Sequence, residues 1–312
     1  LNGNFKEGWK MYESRFKRNQ NDYFRHHLGE PWSGPGKDSE LPENLLLVGE
    51  QGFGDTIQFF RFAILMGKLG IKITLFCHEK LIPLLESNSH IDKVVQNISF
   101  DNLELNTKWC PLLSMPIKLK INSYNIPYYH SYIKANIEIV NKWKDILIRK
   151  NNNKLIGIYW QGNPEFENNI YSRGRSMHFN DLSNLQIIKD IEFVSLQKGI
   201  GQKQLDGNNR LPFVKGQASF DASLDFQDTS AVIAQCDLVI TTDSVIAHLA
   251  GAMGVETWVA VKWIPEWRWG LHGNETKWYP SIKLFRQPSA GDWTSVINTI
   301  NKELIKKYNN LA

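Results

Sequence analysis

The sequence predicts an α/β protein with two Rossmann-like domains, each built on a parallel sheet. Three observations lead to this fold class. Short apolar runs alternate with helical patterns along most of the chain, as in parallel sheets flanked by helices. A polar run at residues 151–153 interrupts the alternation near the middle. The same rhythm then resumes, so we expect two α/β halves whose sheets face a central cleft.

In the first half, the predicted strands are short runs rich in leucine and β-branched residues, and helical patterns lie between them. The expected strands are residues 45–48, 71–76 and 93–95, and the expected helices are residues 56–69 and 81–86. Ahead of these elements, Phe5, Trp9, Tyr12 and Phe16 recur every three or four residues. This spacing predicts one amphipathic helix over residues 1–18.

The second half repeats the alternation. Its expected strands are residues 155–160, 192–196, 238–241 and 257–261. Its expected helices are residues 181–189, 229–235, 244–253 and 292–307. Because the carboxyl ends of parallel strands share one edge of a sheet, residues that follow these strands are candidates for a ligand site.

The composition is that of a globular protein, with 42% hydrophobic and 22% charged residues, which excludes the disordered class. The net charge is +4 and no dense basic stripe occurs, so we do not expect nucleic acid as a partner. The sequence shows no apolar run of about 18 residues, so we expect no transmembrane segment, and we expect no signal peptide. The chain starts at Leu1 without a methionine, and we expect further sequence upstream.

The three cysteines, Cys77, Cys110 and Cys236, form no C-x-x-C pair. Two lie in apolar runs and the third precedes a proline. We expect reduced, packed thiols, which favours a cytoplasmic setting.

A glycine-rich loop, G-E-Q-G-F-G-D-T, directly follows the first predicted strand at residues 49–56. It is half of a dinucleotide-binding fingerprint, since Ile57 replaces the third glycine. Asp55 has two interpretations: a cap of the following helix, or a carboxylate that acts as general base for a sugar-acceptor hydroxyl. On the second interpretation, the acceptor-side loop also includes Gln51, Gly52, Gly54 and Gln58.

A second candidate site lies where the apolar strand D-L-V-I-T passes into a helix rich in alanine and glycine. Free backbone N–H groups and the helix dipole make such a terminus an anion site. The candidate residues are Thr242, Asp243, Ser244, Val245 and His248, the last about one turn into the helix. A plain strand, cap and helix is the alternative, in which His248 is a packed residue.

Two more strand ends point to the same sheet edge. The strand at 155–160 ends at Trp160 and is followed by Gln161, Gly162 and Asn163, with Arg173 and Arg175 a few residues later. The strand at 192–196 is followed by Gln197 and Lys198. Arginines grip phosphate oxygens in pairs of hydrogen bonds, so these residues suit a phosphate or ribose ligand. Solvated surface loops are the alternative.

Several chemical motifs are missing from the sequence. It contains no D-x-D, no H-E-x-x-H, no G-x-x-x-x-G-K-[ST] and no G-x-S-x-G. We therefore expect no metal and no cofactor, and expect arginines, a lysine and a helix terminus to meet phosphate charge.

Taken together, these segments resemble the heptosyltransferase-like glycosyltransferases of family 9, in the branch attached to tetratricopeptide repeats. The similarity extends over nearly the whole chain and rests on E-Q-G-F-G-D-T-I-Q-F, W-Q-G-N-P, S-L-Q-K-G, D-S-x-x-x-H, W-R-W, W-Y-P and L-F-R-Q. It implies the GT-B fold, Asp55 as catalytic base, and a turn from Asp243 to His248 that cradles the donor phosphates. Residues 3–15 resemble the end of a repeat array, which implies repeats upstream.

The resemblance also implies four segments: a repeat-like helical segment at 1–25, an acceptor domain at 26–150, a nucleotide-sugar donor domain at 151–290, and a C-terminal helix at 291–312 that packs back on the acceptor domain. The expected reaction is an inverting, metal-independent transfer from a nucleotide sugar to a protein or glycan hydroxyl. A sugar-nucleotide epimerase or hydrolase, and a non-catalytic nucleotide-binding module recruited by repeats, are the alternatives.

Overall fold

The computed structural model describes residues 3–18, 30–35, 40–98, 103–127, 130–168, 172–207 and 210–308. The chain divides into two compact units, Gly3–Tyr129 and His130–Ala312. Each unit holds one parallel sheet. The predicted α/β class with two parallel sheets is confirmed.

The first unit has a four-stranded sheet in the order β3-β2-β1-β4. Its strands are β1 (Asn44–Val48), β2 (Lys72–Phe76), β3 (Lys93–Val95) and β4 (Lys108–Pro111). Its α-helices are α1 (Phe5–Tyr12), α2 (Arg15–Arg18), α3 (Phe53–Lys68), α4 (Ile82–Leu85) and α5 (Met115–Lys118), with 3-10 turns at Glu79–Leu81 and Leu112–Ser114. All of β1 is buried, as expected of a central strand covered on both faces.

The second unit has a five-stranded sheet in the order β6-β5-β7-β8-β9. Its strands are β5 (Lys154–Tyr159), β6 (Ile191–Ser195), β7 (Leu238–Thr242), β8 (Thr257–Val261) and β9 (Ile282–Arg286). Its α-helices are α6 (Ile137–Ile146), α7 (Pro164–Glu167), α8 (Phe179–Leu182), α9 (Gln217–Asp221), α10 (Phe226–Ile233), α11 (Val245–Met253) and α12 (Trp293–Tyr308), with 3-10 turns at Lys150–Asn152, Gly199–Leu205 and Trp267–Trp269.

The division between the units differs from the prediction. The sequence placed the boundary near residue 151, but the second unit already begins at His130. The reason is α6, whose buried Trp143 donates from Nε1 to Asp228 Oδ1 at 2.6 Å and meets the Phe220 ring edge-on. Ahead of α6, the Tyr132 amide donates to the carbonyl of Ala252. The polar run at 151–153 is a turn inside the second unit.

The C-terminal helix is part of the second unit, and the buried face of α12 belongs to the core of that unit. Trp293, Ile297 and Leu304 share that core with the sheet residues Ile156 of β5 and Phe285 of β9. Its expected packing on the N-terminal domain stays a prediction. Residues 309–312 of the predicted segment lie outside the described residues.

The helix predicted at 181–189 was wrong in extent, because α8 ends at Leu182. The side chains of Ser183 and Asn184 both donate to the carbonyl of Asn180, and the Gln186 amide donates to Asn301 Oδ1. These hydrogen bonds to and from side chains take the place of the backbone hydrogen bonds that would have continued the helix. The edge strands β4 and β9 were missed, because neither is preceded by a clear helical pattern.

The N-terminal segment forms two short helices rather than the single predicted helix over residues 1–18. Trp9 anchors α1, with its Nε1 donating to the carbonyl of Ile121 at 2.9 Å and its ring edge-on to Phe59. Residues 1–2 and 19–25 of the predicted segment lie outside the described residues. All three cysteines are buried and unpaired, as expected. Among the described helices, none is long and apolar enough to span a membrane.

The Trp143–Asp228 contact leads to a prediction about the stability of the second unit. Trp143→Phe removes a hydrogen bond to a carboxylate and leaves a small void, so we expect the free energy of unfolding to fall by about 2–4 kcal/mol. Urea unfolding followed by circular dichroism measures this change. Trp263→Phe is the matched control, because the Trp263 side chain is exposed, and we expect a change within about 0.5 kcal/mol. Equal effects of the two variants would contradict the assignment of α6 to this core.

Candidate functional site

The candidate site lies at the carboxyl ends of β5, β6, β7 and β8 in the second unit. Parallel pairing places Tyr159 opposite Thr241, and Thr242 opposite Ala260, so three loops start side by side. The sheet edge therefore gathers the residues that follow each strand, as the sequence predicts.

Gln197 holds the loop that follows β5. Its Oε1 accepts from the amides of Trp160 and Gln161 at 3.2 and 2.9 Å, and its Nε2 donates to the Gln161 carbonyl at 2.8 Å. The side chain is buried, and a Cβ on Gly201 would lie 2.7 Å from its Nε2. Gln197 thus supports the loop of the site, because its side-chain amide makes hydrogen bonds to the backbone of that loop.

The N-terminus of α11 presents backbone donors at this edge. Its N-cap residue, Ser244, makes no side-chain capping bond, because its hydroxyl pairs with Thr241 Oγ1 at 2.9 Å. The His248 amide already donates to the Ser244 carbonyl. Within the expected turn from Asp243 to His248, the amides without a helical partner are therefore those of residues 245–247, beginning with Val245. Thr242 Oγ1 donates to the Trp160 carbonyl and joins the two loops.

His248 itself packs inside the unit. Its Nδ1 lies 2.9 Å from the hydroxyl of Tyr279, and its ring stacks on Trp269 with centroids 5.4 Å apart. The ring is buried. These contacts agree with the alternative interpretation of His248 as a packed residue of α11.

Arg175 lies over Gly162. A Cβ at Gly162 would lie 3.0 Å from Arg175 Nη2, so a larger residue here would require the guanidinium to shift by a few tenths of an ångström. Glu167 faces the other side of the arginine, with Oε1 at 3.8 Å from its Nε. That Nε is buried and makes no hydrogen bond within the part of the chain that the structure describes. The Ser176 hydroxyl donates to Glu167 and accepts from the Gly162 amide, which orients the carboxylate.

Arg173 contributes its backbone to the site. Its side chain is exposed, and its carbonyl accepts from Lys262 Nζ at 3.1 Å.

Lys262 is a site residue that the sequence analysis missed. It directly follows β8 and is 9% exposed, which is unusual for a lysine. Burial lowers its pKa, and the nearby carboxylates of Asp243 and Glu266 act in the opposite direction. Its position in the sequence could have revealed it, because Lys262 follows an apolar strand at the sheet edge that was already predicted to bind the ligand.

Asp243 is the buried carboxylate of the cluster. Burial raises its pKa, with a further contribution from Glu266, while Trp269, Arg175 and Arg268 oppose the rise. The side chain of Arg268 is itself paired with Glu266 at 2.8 Å. Asp243 therefore lies close to the cations Arg175 and Arg268 within the cluster.

Two predicted ligand residues have other contacts. Lys198 donates to the carbonyl of Phe220 and lies 3.7 Å above the Phe220 ring, and burial lowers its pKa to about 8. Asn163 is exposed, and its Oδ1 accepts from the Glu165 amide as the N-cap of α7. Neither side chain joins Arg175 and Lys262 in the contacts of the described residues.

In the first unit, Asp55 is the third residue of α3, and the N-cap residue is Gly52. Asp55 Oδ2 accepts from the Gly52 amide at 2.9 Å, as in a capping box, and its role as a base stays a prediction. Gln51 has a left-handed backbone with φ of 63° and accepts from the hydroxyl of Tyr12 at 3.1 Å. Gly54 lies in the first turn of α3, and Gln58 is buried one turn further along.

The role of Gln197 gives a stability prediction. Gln197→Met keeps the volume but removes the acceptor of two backbone amides, so we expect the free energy of unfolding to fall by about 2–4 kcal/mol. Chemical denaturation measures the change. Gln186→Met changes an exposed glutamine in the same unit and should leave stability within about 0.5 kcal/mol. If Gln197→Met behaves like this control, Gln197 does not support the loop.

Comparison with known proteins gives one match in sequence and several in structure. No protein-family model matches the chain. Protein FlbA of Caulobacter vibrioides is 23% identical over 325 aligned residues, which cover 96% of this chain and 52% of that protein. This chain therefore spans about half the length of the curated relative it matches.

The structural matches are glycosyltransferases. The family 9 glycosyl transferase of Veillonella parvula superposes with a TM-score of 0.55 and 12% identity, over 86% of this chain and 89% of that one. ADP-heptose LPS heptosyltransferase II of E. coli gives 0.55 and 12%, over 85% and 99%. The iron-containing heptosyltransferase TibC of enterotoxigenic E. coli, bound to ADP-D-β-D-heptose, gives 0.53 and 10%, over 91% and 78%. The chain thus has the GT-B fold of the family 9 glycosyltransferases.

Proposed function

We propose that this protein is a glycosyltransferase that takes a sugar from a nucleotide diphosphate donor. The observation that carries the proposal is the uncapped N-terminus of α11 beside the cations Arg175 and Lys262. Burial lowers the pKa of Lys262, so this part of the site is shielded from water. A phosphate bound here would meet its hydrogen-bond donors in an environment of low dielectric constant. The fold shared with family 9 glycosyltransferases supports the same function.

In the proposed complex, the amides of residues 245–247 bind the donor diphosphate. Arg175 and Lys262 neutralise its charge, which grows on the phosphate as the sugar departs. This assigns to protein groups the role that a metal plays in other transferases, so we propose a metal-independent reaction. Each such contact typically contributes about 2–4 kcal/mol to transition-state stabilisation.

The proposed reaction is a single inverting displacement. Asp55 takes the proton of the acceptor hydroxyl, the acceptor oxygen bonds to the anomeric carbon, and the bond from that carbon to the phosphate oxygen breaks. The nucleoside diphosphate leaves with the electron pair of that bond. The acceptor is proposed to be a protein or glycan hydroxyl, and the resemblance of residues 3–15 supports the further proposal of tetratricopeptide repeats upstream.

Two measurements test the function. A thermal-shift screen compares ADP, UDP, GDP and dTDP with the corresponding monophosphates, and we expect diphosphates to give the larger stabilisation. Nucleoside diphosphate release is then followed with labelled donors, ADP-heptose among them, with and without a protein and glycan extract. Release that depends on the extract and leaves label on it supports transfer. Release without the extract indicates a hydrolase, and binding without release indicates a non-catalytic module.

Removing either site cation should weaken donor binding. Arg175→Ala or Lys262→Met deletes a charge-assisted contact to phosphate, so we expect binding of the best diphosphate to weaken by about 1–3 kcal/mol. Isothermal titration calorimetry measures this. Lys154→Met is the matched control, because Lys154 begins β5 at the opposite edge of the same sheet. Unchanged affinity in both site variants would remove these cations from the donor site.

Replacing Asp55 should affect rate more than donor binding. Asp55→Asn keeps an oxygen that accepts from the Gly52 amide, so the helix cap survives. We expect transfer to fall by roughly 10²–10⁴-fold, as on loss of a general base, with diphosphate affinity unchanged. Single-turnover transfer measures the rate. Activity within a few-fold of the parent would leave Asp55 as a cap only.

A further inference from the structure

The N-terminal helices are joined to the loop that follows β1 by a paired salt bridge. Arg15 Nε donates to Glu50 Oε2 at 3.1 Å, and Arg15 Nη2 donates to Glu50 Oε1 at 2.8 Å. Two parallel bonds fix the plane of the guanidinium against the plane of the carboxylate. Glu50 is the second residue after β1, so this pair holds the loop at its first turn.

The same guanidinium reaches a neighbouring strand end. Arg15 Nη2 donates to Ser114 Oγ at 2.8 Å, and Arg15 Nη1 donates to Glu13 Oε1 at 2.7 Å. Ser114 Oγ donates in turn to Glu13 at 2.9 Å. Because Ser114 follows β4 and Glu50 follows β1, the cluster links two adjacent strands of the sheet to the helical segment.

This cluster is largely shielded from solvent, unlike the exposed ion pairs that contribute little to stability. The Arg15 side chain is 12% exposed, and its guanidinium stacks on the Phe16 ring at 4.1 Å. Burial alone lowers the pKa of an arginine, but the hydrogen bonds and charges of Glu50 and Glu13 outweigh it and raise the pKa of Arg15. Without Arg15, the two carboxylates would face each other across the cluster uncompensated.

The loop beyond Glu50 has a backbone that needs support. Gln51 adopts a left-handed conformation, which is strained for a residue other than glycine. Its side chain accepts from the hydroxyl of Tyr12, on the same helical segment as Arg15. The next residue, Gly52, uses its amide to hold Asp55 Oδ2. The contacts therefore run without a gap from the N-terminal helices to the Asp55 carboxylate.

We propose that Arg15 is a positioning residue for Asp55, acting through Glu50 and the strained turn at Gln51. The N-terminal helical segment is then part of the catalytic apparatus as well as a packing element. The inference rests on the proposed role of Asp55 for its catalytic consequence, but its structural part, control of the loop over residues 49–52, stands independently. Trp9 anchors α1 by a separate contact with Ile121, so the loss of Arg15 leaves that packing in place.

Hydrogen–deuterium exchange tests the structural part. In Arg15→Gln and in Glu50→Gln we expect amides of residues 50–56 to exchange about ten-fold faster or more, because the loop opens more often. The double variant should exchange no faster than Arg15→Gln, since Arg15→Gln already removes the contact with Glu50. Lys72→Gln is the matched control, because it breaks an exposed ion pair with Glu104 elsewhere in the same unit. Parent-like exchange of the loop in Arg15→Gln overturns the proposal.

A conservative variant helps to distinguish local opening of the loop from general unfolding. Arg15→Lys keeps the charge and loses the paired geometry, so we expect exchange between that of the parent and of Arg15→Gln. If faster exchange in these variants extends equally through β1 and α3, the effect is global and the positioning role is wrong.

Kinetics tests the catalytic part. We expect Arg15→Gln to lower the kcat of transfer by about 10–100-fold at unchanged KM for the donor and unchanged affinity for the diphosphate. Parent-like kcat with a loosened loop would overturn the positioning role while leaving the proposed function intact. Absence of transfer in the parent itself would reject the proposed function, and the exchange result would still decide the control of the loop.

Discussion

Parallel strand pairing is the constraint on which the candidate site depends. Every strand of the second sheet runs in the same direction, so the loops after β5, β6, β7 and β8 all start at one edge. Helices must cover both faces of such a sheet, which leaves this edge as the place where polar loops collect. Residues more than eighty positions apart, such as Arg173 and Lys262, meet there. Strand pairing brings distant positions together, and the loops supply the polar groups of the candidate site.

Charge balance explains the composition of the site. A buried cation is costly unless a carboxylate accompanies it, and each cation here has one nearby: Glu167 for Arg175, Glu266 for Arg268, and Asp243 for Lys262. The backbone amides at the start of α11 add donors that need no counterion. In the proposed complex, the donor phosphate would meet positive groups that are already partly desolvated and fixed in place, which is how preorganised sites stabilise developing charge.

The two units use different devices to hold their loops. In the second unit, the neutral amide of Gln197 fixes the backbone after β5, and a hydroxyl of Thr242 joins it to β7. In the first unit, a buried arginine between two carboxylates holds a turn with a left-handed residue, Gln51. A strained turn needs stronger and more directional contacts than a relaxed one. The N-terminal helices supply these contacts.

The sequence by itself determined the α/β class, the buried strands and the sheet edge that carries the site. These follow from local apolar periodicity, which the central strands and α11 keep because burial on both faces demands it. Tertiary contacts decided the rest. The Trp143–Asp228 bond placed α6 in the second unit, the core of the second sheet placed α12 there, and burial among charged groups made Lys262 a member of the candidate site. Such pairings join residues far apart in the chain, and no local pattern encodes them.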